Sequence, residues 1–478
     1  MQFIAGAWLE AGEGAARDIR NPATLKPLGS VRDCGGAHVA RALAAARAAL
    51  PAWRQLQAAS RGALLGEVAA RIRARKSDLA MLASRESGVP VCESFDCIEA
   101  AAFMLEHWGA LTDSGAVGRS GEAGVSGALG APGVGGLPGV AAGVVSVLLP
   151  WNFPLLALGA AAAPALAGGS TLVLLAPAGN PLASLALAQA FEGLPAGVLN
   201  LITGGAEAAQ ALIEHTPAAR DLFAESAADA FIVSRDADLD VTIPGIVWER
   251  LRNGGQVFAS ARHIFVDRFI AAEFAERVHQ CVGFLDVDDP LKRPTDLGPL
   301  ISGEAAERVE DQVGRVLRAG AKLILGGRRF KPSGLPGHFF QPTLLMLRDG
   351  APAPQAIPGP VITMSPVRDL AAGLRLASAA GAGTGFGASV YTRDVDAVSA
   401  LARLQAGTFR INDPPQPGAA GPFSGLRQRL IREALGAAVQ PRSVESAEPL
   451  EVGAAAPEIE TAPAMERKPW WFPYVDRI

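Results

Sequence analysis

The chain is 478 residues long, 49% hydrophobic and 19% charged, with a formal net charge of -4. That length exceeds a single core and implies two large units with smaller appendages, and that hydrophobicity excludes a largely disordered chain. No basic excess points to nucleic acid, and the scattered cysteines Cys34, Cys92, Cys97 and Cys281 suit a reducing cytoplasm better than a disulfide framework.

In chain order, Met1 to Glu10 has neither a basic start nor a sustained apolar stretch, so a cytoplasmic location is expected. Ala, Leu and Arg recur at three- and four-residue spacing from His38 to Trp53 and from Arg61 to Ser84, which predicts two amphipathic helices. Cys92 and Cys97 have no His or further cysteine pair at ligand spacing nearby, so no metal site is expected. Glycine then takes every third position from Gly115 to Gly139. A strict Gly-x-x period implies polyproline-II packing where only a hydrogen fits, and Pro132 and Pro138 occupy the third slot of their triplets. Two prolines in the segment are few for a collagen-like helix, so a flexible Gly-rich loop is the alternative.

Val144 to Leu149 and Thr171 to Leu175 read as short buried strands, and Leu155 to Ala167 between them is long enough for a helix. The apolar region from Val140 to Ala178 is broken by Pro150, Pro154 and Pro164, so no membrane span is expected. A helix over Pro181 to Ala190 and a strand over Val198 to Ile202 continue a doubly wound parallel α/β sheet. The second half repeats this, with helices at Glu304 to Arg318 and Val395 to Gln405 and strands near Lys322 to Leu325 and Ala388 to Tyr391. Residues 443–464, rich in Ala, Glu and Pro, read as a linker. Residues 465–478 carry Trp470, Trp471, Phe472 and Tyr474, an aromatic tail that either docks on a partner or folds back on its own core.

Eight blocks, covering nearly all of Phe3 to Val439, resemble the aldehyde dehydrogenase superfamily in that family's order. They are RNPATLKPLGSV from Arg20, AAARAALPAWRQL from Ala44, LLPWNFPLL from Leu148, GLPAGVLNLITG from Gly193, DADLD from Asp236, DLGPLIS from Asp296, FFQPTLL from Phe339 and GFGASVYTRD from Gly385. The resemblance implies two doubly wound parallel-sheet domains and a small oligomerisation element. A nicotinamide-binding-like domain would take residues 1–114 and 140–245, a catalytic-like domain 246–420, and the oligomerisation element 115–139 with 421–442. It also implies chemistry in which a cysteine thiolate attacks an aldehyde, hydride passes to NAD or NADP, and a glutamate activates water.

Residue by residue, the resemblance is incomplete. Asn152 matches the oxyanion-binding amide, and Leu149 and Trp151 stand where the cofactor would lie. In the nucleophile loop Asn253, Gly255, Gln256 and Val257 match, but Phe258 occupies the cysteine position. Ala224 falls where the base glutamate would be, and Glu225 beside it is a weak candidate base. Ala176, Ala356 and Pro358 replace cofactor contacts, and the short interval from His215 to Phe223 lacks the unit that faces the diphosphate. The expectation is therefore a cysteine-less, catalytically inactive partner or scaffold subunit that binds no cofactor. It would assemble with an active aldehyde dehydrogenase, with itself, or with both, through 115–139 and 465–478. The alternative is an NAD(P)-dependent aldehyde dehydrogenase or esterase working through a non-cysteine residue, such as Ser260 with His263 or Glu225 as base. A third reading is a nucleotide or aldehyde sensor that binds without turnover.

Overall fold

A computed structural model describes residues 1–10, 14, 16–113, 143–215, 230–257, 263–381, 388–394, 408–412 and 443–446. The helix expected over 395–405, the Gly-x-x repeat, the second oligomerisation segment, residues 447–464 of the expected linker and the aromatic tail lie outside these residues, whereas Ser443–Ser446 at the start of that linker is a strand paired in parallel with Thr408–Ile411.

The first half opens with strands β1 (Gln2–Ile4), β2 (Ala7–Leu9), β3 (Ala16–Arg20) and β4 (Pro27–Arg32), the last two forming a separate antiparallel pair. Helices α1 (Gly36–Gln55), α2 (Ala58–Ala74), α3 (Lys76–Ser87) and α4 (Val91–Asp113) follow. Then come β5 (Val144–Leu148), α5 (Pro154–Ala167), β6 (Thr171–Ala176), α6 (Leu182–Ala188), β7 (Leu199–Thr203) and α7 (Ala206–His215). The sheet order is β2-β1-β7-β6-β5, with β5, β6 and β7 parallel and β1 antiparallel to β7. All six residues of β6 are buried, as a parallel strand covered on both faces requires.

The second half contains β8 (Ala230–Val233), α8 (Leu239–Leu251), β9 (His263–Asp267), α9 (Ala271–Gly283), α10 (Gly303–Arg318), β10 (Lys322–Leu325), β11 (Thr343–Met346), β12 (Val361–Val367), α11 (Leu370–Gly381), β13 (Ala388–Tyr391), β14 (Thr408–Ile411) and β15 (Ser443–Ser446). Its eight strands run in the order β10-β11-β12-β9-β8-β13-β14-β15, parallel except where β10 meets β11. The architecture is the expected α/β fold with two largely parallel sheets. β8, grouped by sequence with the first unit, pairs in the second sheet between β9 and β13.

Two differences from the sequence reading have physical causes. The helix expected over Arg61 to Ser84 is two helices, because Arg75 leaves helical geometry at φ -111° and ψ 13°. The 23-residue α4 was not anticipated, since its apolar residues surround the helix and leave no clean polar face. Packing explains that pattern: α4 is wedged against α2 and α5, and a Cβ on Gly159 of α5 would come within 2.6 Å of Ala101 in α4. Only glycine permits this approach, which sets α4 beside the turn entering α5. Among the described residues no helix is long and apolar enough to cross a membrane.

Candidate active site

The two halves meet at two loops. The first leaves β5 through Leu149, Pro150, Trp151, Asn152 and Phe153, and Pro154 opens α5 in the first helical turn, where its missing N–H costs nothing. Leu149 N–H extends the ladder to the Leu175 carbonyl at 2.9 Å, and Asn180 Nδ2 donates to the Trp151 carbonyl at 2.6 Å. The second loop leaves α8 through Arg252 and turns with positive φ at Asn253 (48°), Gly254 (59°) and Gly255 (69°). Asparagine and glycine are the residues best suited to that left-handed run.

The loops are tied by reciprocal bonds. Asn152 Nδ2 donates to the Gln256 carbonyl at 2.8 Å, and Asn253 Nδ2 donates to the Asn152 carbonyl at 2.8 Å. Gln256 Nε2 donates to the Asn253 carbonyl at 3.0 Å, and its Oε1 accepts from Ile301 N–H at 3.0 Å. Arg250 clamps the Gly255 and Ile357 carbonyls at 3.1 and 2.7 Å. From α4, Glu93 accepts the Asn253 N–H on both carboxylate oxygens, at 3.0 and 2.9 Å. Backbone and side chains up to Val257 are thus held in one geometry before the chain reaches Phe258.

Phe258, Ser260, Ala224 and Glu225 lie outside the described residues. His263, considered as a base, sits in the core of the second sheet. Its ring nitrogens engage Thr363 Oγ1 at 2.7 Å and Ser365 Oγ at 2.9 Å, and burial lowers its pKa to about 3, so it is spoken for. Leu149 is buried, and Trp151 is partly so.

Three groups that sequence reasoning passed over stand at the junction. Arg252 lies 5.1 Å from the centre of the Phe153 ring and 4.8 Å from that of Trp248, and its buried Nε has no partner among the described residues. Burial pushes Glu93 up to about 7 against the opposing pull of Arg252. Cys97 is buried and lines a small cavity of ≈ 20 Å³ together with Asn152, Phe153 and Asn180. The amide oxygens of Asn152 and Asn180, both buried, have no partner among the described residues. The available signal was the Glu93 to Cys97 spacing of four residues, one turn of a helix.

The same cavity is lined by Glu86, whose carboxylate accepts the N–H groups of Leu182 and Ala183 at the start of α6. Burial raises its pKa from the ordinary 4.5 to about 8 despite these bonds. The fold therefore favours the protonated acid. That preference contributes stability fully below about pH 4.5 and loses it as pH rises to about 8. Glu86→Gln removes the titration, so the stability of the variant relative to the parent should rise between about pH 5 and about pH 9. Thermal melts across that range check it, and a flat difference contradicts the assignment.

The carboxyl edge of β5, β6 and β7 is where this fold class takes dinucleotides. Ala176 offers no donor there, yet the Arg17 guanidinium reaches the Ala178 carbonyl and pairs with Asp33 at the same edge. The Gly204–Gly205 turn opens α7, and a Cβ on Gly205 would lie 3.4 Å from the Asp33 carboxylate. A cation, a carboxylate and a helix N-terminus suit the phosphates and ribose hydroxyls of a dinucleotide. The edge therefore carries residues of the kinds such a ligand uses, with Arg17 held by Asp33 and the Ala178 carbonyl.

The aldehyde dehydrogenase family model matches residues 8–224 and 220–440, and its two segments meet where the short interval before Phe223 ends. A succinate-semialdehyde dehydrogenase of Escherichia coli (strain K12), named with NADP(+), is 31% identical over 457 residues, covering 89% of this chain and 92% of the relative. A glutarate-semialdehyde dehydrogenase of Pseudomonas putida is 31% identical over 456 residues, with coverages of 89% and 92%. A solved E. coli structure described as an NADP dependent enzyme is 29% identical with a TM-score of 0.74, covering 87% of this chain and 90% of its own.

These findings correct two expectations. Relatives at this similarity are named dehydrogenases, so the reading of the chain as a non-enzyme does not stand, and nothing in the comparisons points to a scaffold. Relatives named for NADP likewise overturn the expectation of no cofactor. The physical reason is that losses were counted at linear positions such as 258, 176 and 356. A site is spatial: Glu93 of α4 and Arg252 beyond α8 meet the Asn152 and Asn253 loops, and Arg17 of β3 reaches the edge beyond β6.

Proposed function

Because the chain belongs to the aldehyde dehydrogenase family, we propose that it is an NAD(P)-dependent enzyme that oxidises a small aldehyde carrying an anionic far end, without a cysteine at position 258. The net reaction converts aldehyde, water and oxidised dinucleotide to carboxylic acid, reduced dinucleotide and a proton. When bound, the nicotinamide ring supplies the hydride acceptor.

The observation that carries this reading is the retained amide in its locked frame. Asn152 Nδ2 bears two hydrogens and gives one to the Gln256 carbonyl. The other is available to an oxyanion developing on the substrate. Glu93, Asn253 and Arg250 hold the facing loop, so this donor needs little reorganisation during reaction.

A semialdehyde-like substrate is favoured by Arg252, an aromatic-stacked cation beside the loop whose Nε has no partner among the described residues. Succinate semialdehyde and an uncharged aldehyde of similar length, each with NADP and NAD, are the informative probes. Arg252→Gln should raise KM for the carboxylated aldehyde by about tenfold or more, as loss of a hydrogen bond to a charged group implies. KM for the uncharged aldehyde should change little. Equal changes for both would remove Arg252 from substrate recognition.

A further inference from the structure

We propose that the cavity behind Asn152 holds one buried water, which accepts from Glu86 and donates to the amide oxygens of Asn152 and Asn180, and that Glu86 is thereby a positioning residue for the Asn152 amide. The second half of the inference rests on the reading that the chain oxidises aldehydes.

Three elements converge on the cavity: α3 brings Glu86, the loop after β5 brings Asn152, and the turn between β6 and α6 brings Asn180. Its volume of ≈ 20 Å³ admits a water and no larger ligand. Asn152 and Asn180 are 5% and 1% exposed, and each has committed its Nδ2, to the Gln256 and Trp151 carbonyls respectively. Their amide oxygens have no partner among the described residues. The hydroxyls that also line the cavity are engaged elsewhere, Ser87 Oγ with the Ala83 carbonyl at 2.6 Å and Ser94 Oγ with Ser84 Oγ at 2.8 Å. Two buried acceptors thus call for donors, and one water brings two. Each Glu86 oxygen accepts one N–H, from Leu182 or Ala183, and the protonated acid that burial favours still has an O–H to give. A water that accepts this O–H and donates twice makes three bonds in all, about the usual number for a buried water.

The water fixes which way the Asn152 amide points. With Oδ1 held on the water, Nδ2 stays on the Gln256 carbonyl and keeps its second hydrogen for an oxyanion. The reversed amide would set two acceptors, Oδ1 and the Gln256 carbonyl, against each other. Loss of the Glu86 proton undoes the arrangement. The carboxylate then takes a hydrogen from the water instead of giving one, so one amide oxygen loses its donor. A negative charge also stands behind the amide that must receive an oxyanion, which weakens that donor. Among the residues lining the cavity the other titratable group is the Cys97 thiol of α4, which burial holds protonated. Of these two, Glu86 alone titrates near neutral pH.

A high-resolution crystal structure of the full chain at about pH 6 should show a water within hydrogen-bond reach of a Glu86 oxygen and of both amide oxygens. A cavity without that density, or a water out of reach of Glu86, overturns the site. Kinetics test the positioning role. Glu86→Gln keeps the shape and a donor but does not titrate. Its kcat for succinate semialdehyde with NADP, divided by that of the parent, should lie within about twofold of unity near pH 6 and rise about fivefold or more by about pH 9, with the ratio of KM values unchanged. A constant kcat ratio across that range, as a purely structural Glu86 would give, removes the positioning role and leaves the proposed activity standing. Should Glu86→Gln fail to fold, parent crystals at about pH 6 and about pH 9 decide: the water should lose one amide oxygen at the higher pH, and identical networks overturn the role. No dinucleotide reduction by the parent overturns the activity and the positioning role together, and the water then stands or falls on the crystal structure.

Discussion

Asn152→Ala should lower kcat for aldehyde oxidation by about two to three orders of magnitude, the usual effect of deleting one oxyanion donor. KM should move far less, because the interaction strengthens only as negative charge develops on oxygen. The substitution also removes the bond from Nδ2 to the Gln256 carbonyl, worth about 1 kcal/mol to the fold. A modest drop in melting temperature is therefore expected alongside the kinetic loss. The backbone carbonyl of residue 152 still accepts from Asn253, so the loop keeps one of its two ties to this strand. Asn152→Asp separates the two effects. It keeps the shape, removes the donors and places a negative charge beside the oxyanion, so its kcat should fall at least as far as that of the alanine variant. A kcat within about threefold of the parent in either variant would show that the amide does no chemistry.

Gly255→Ala should destabilise the protein by about 3 kcal/mol or more, and the neighbouring Gly254→Ala by only about 1 kcal/mol. Both glycines have positive φ, at 69° and 59°, so both substitutions carry the left-handed penalty. Their surroundings differ. A Cβ at Gly255 would lie 2.0 Å from the Gly359 carbonyl oxygen and 2.7 Å from Arg250 Nη1, whereas at Gly254 the nearest atom is 3.5 Å away. Accommodating the methyl at 255 means displacing backbone and breaking the Arg250 clamp on the Gly255 and Ile357 carbonyls. Denaturant unfolding of the two variants side by side measures the contrast. Equal losses would mean that the loop relaxes freely, contrary to the network that holds it.

The alternation of β5, α5, β6, α6 and β7 was legible because each strand is a short apolar run closed by proline, glycine or serine. The α4 helix was not, since Glu93 and Ser94 are buried and blur its polar side. Asn152 and the Asn253–Gln256 loop were legible as motifs. The contacts that give them a function were not. Glu93 meets Asn253 across 160 residues, and α4 and α5 touch where Gly159 meets Ala101. At the edge beyond β6, Ala176 offers no side-chain donor, and Arg17 arrives there from a strand some 160 residues earlier in the chain.

The measurement closest to the central claim is a stoichiometric one on the full chain: NADPH formed and carboxylic acid released from succinate semialdehyde, followed together by absorbance and NMR. The account predicts equal molar amounts of both, at many turnovers per chain and above a protein-free control. Absence of NADPH and acid over that control, with NADP and with NAD, would contradict it.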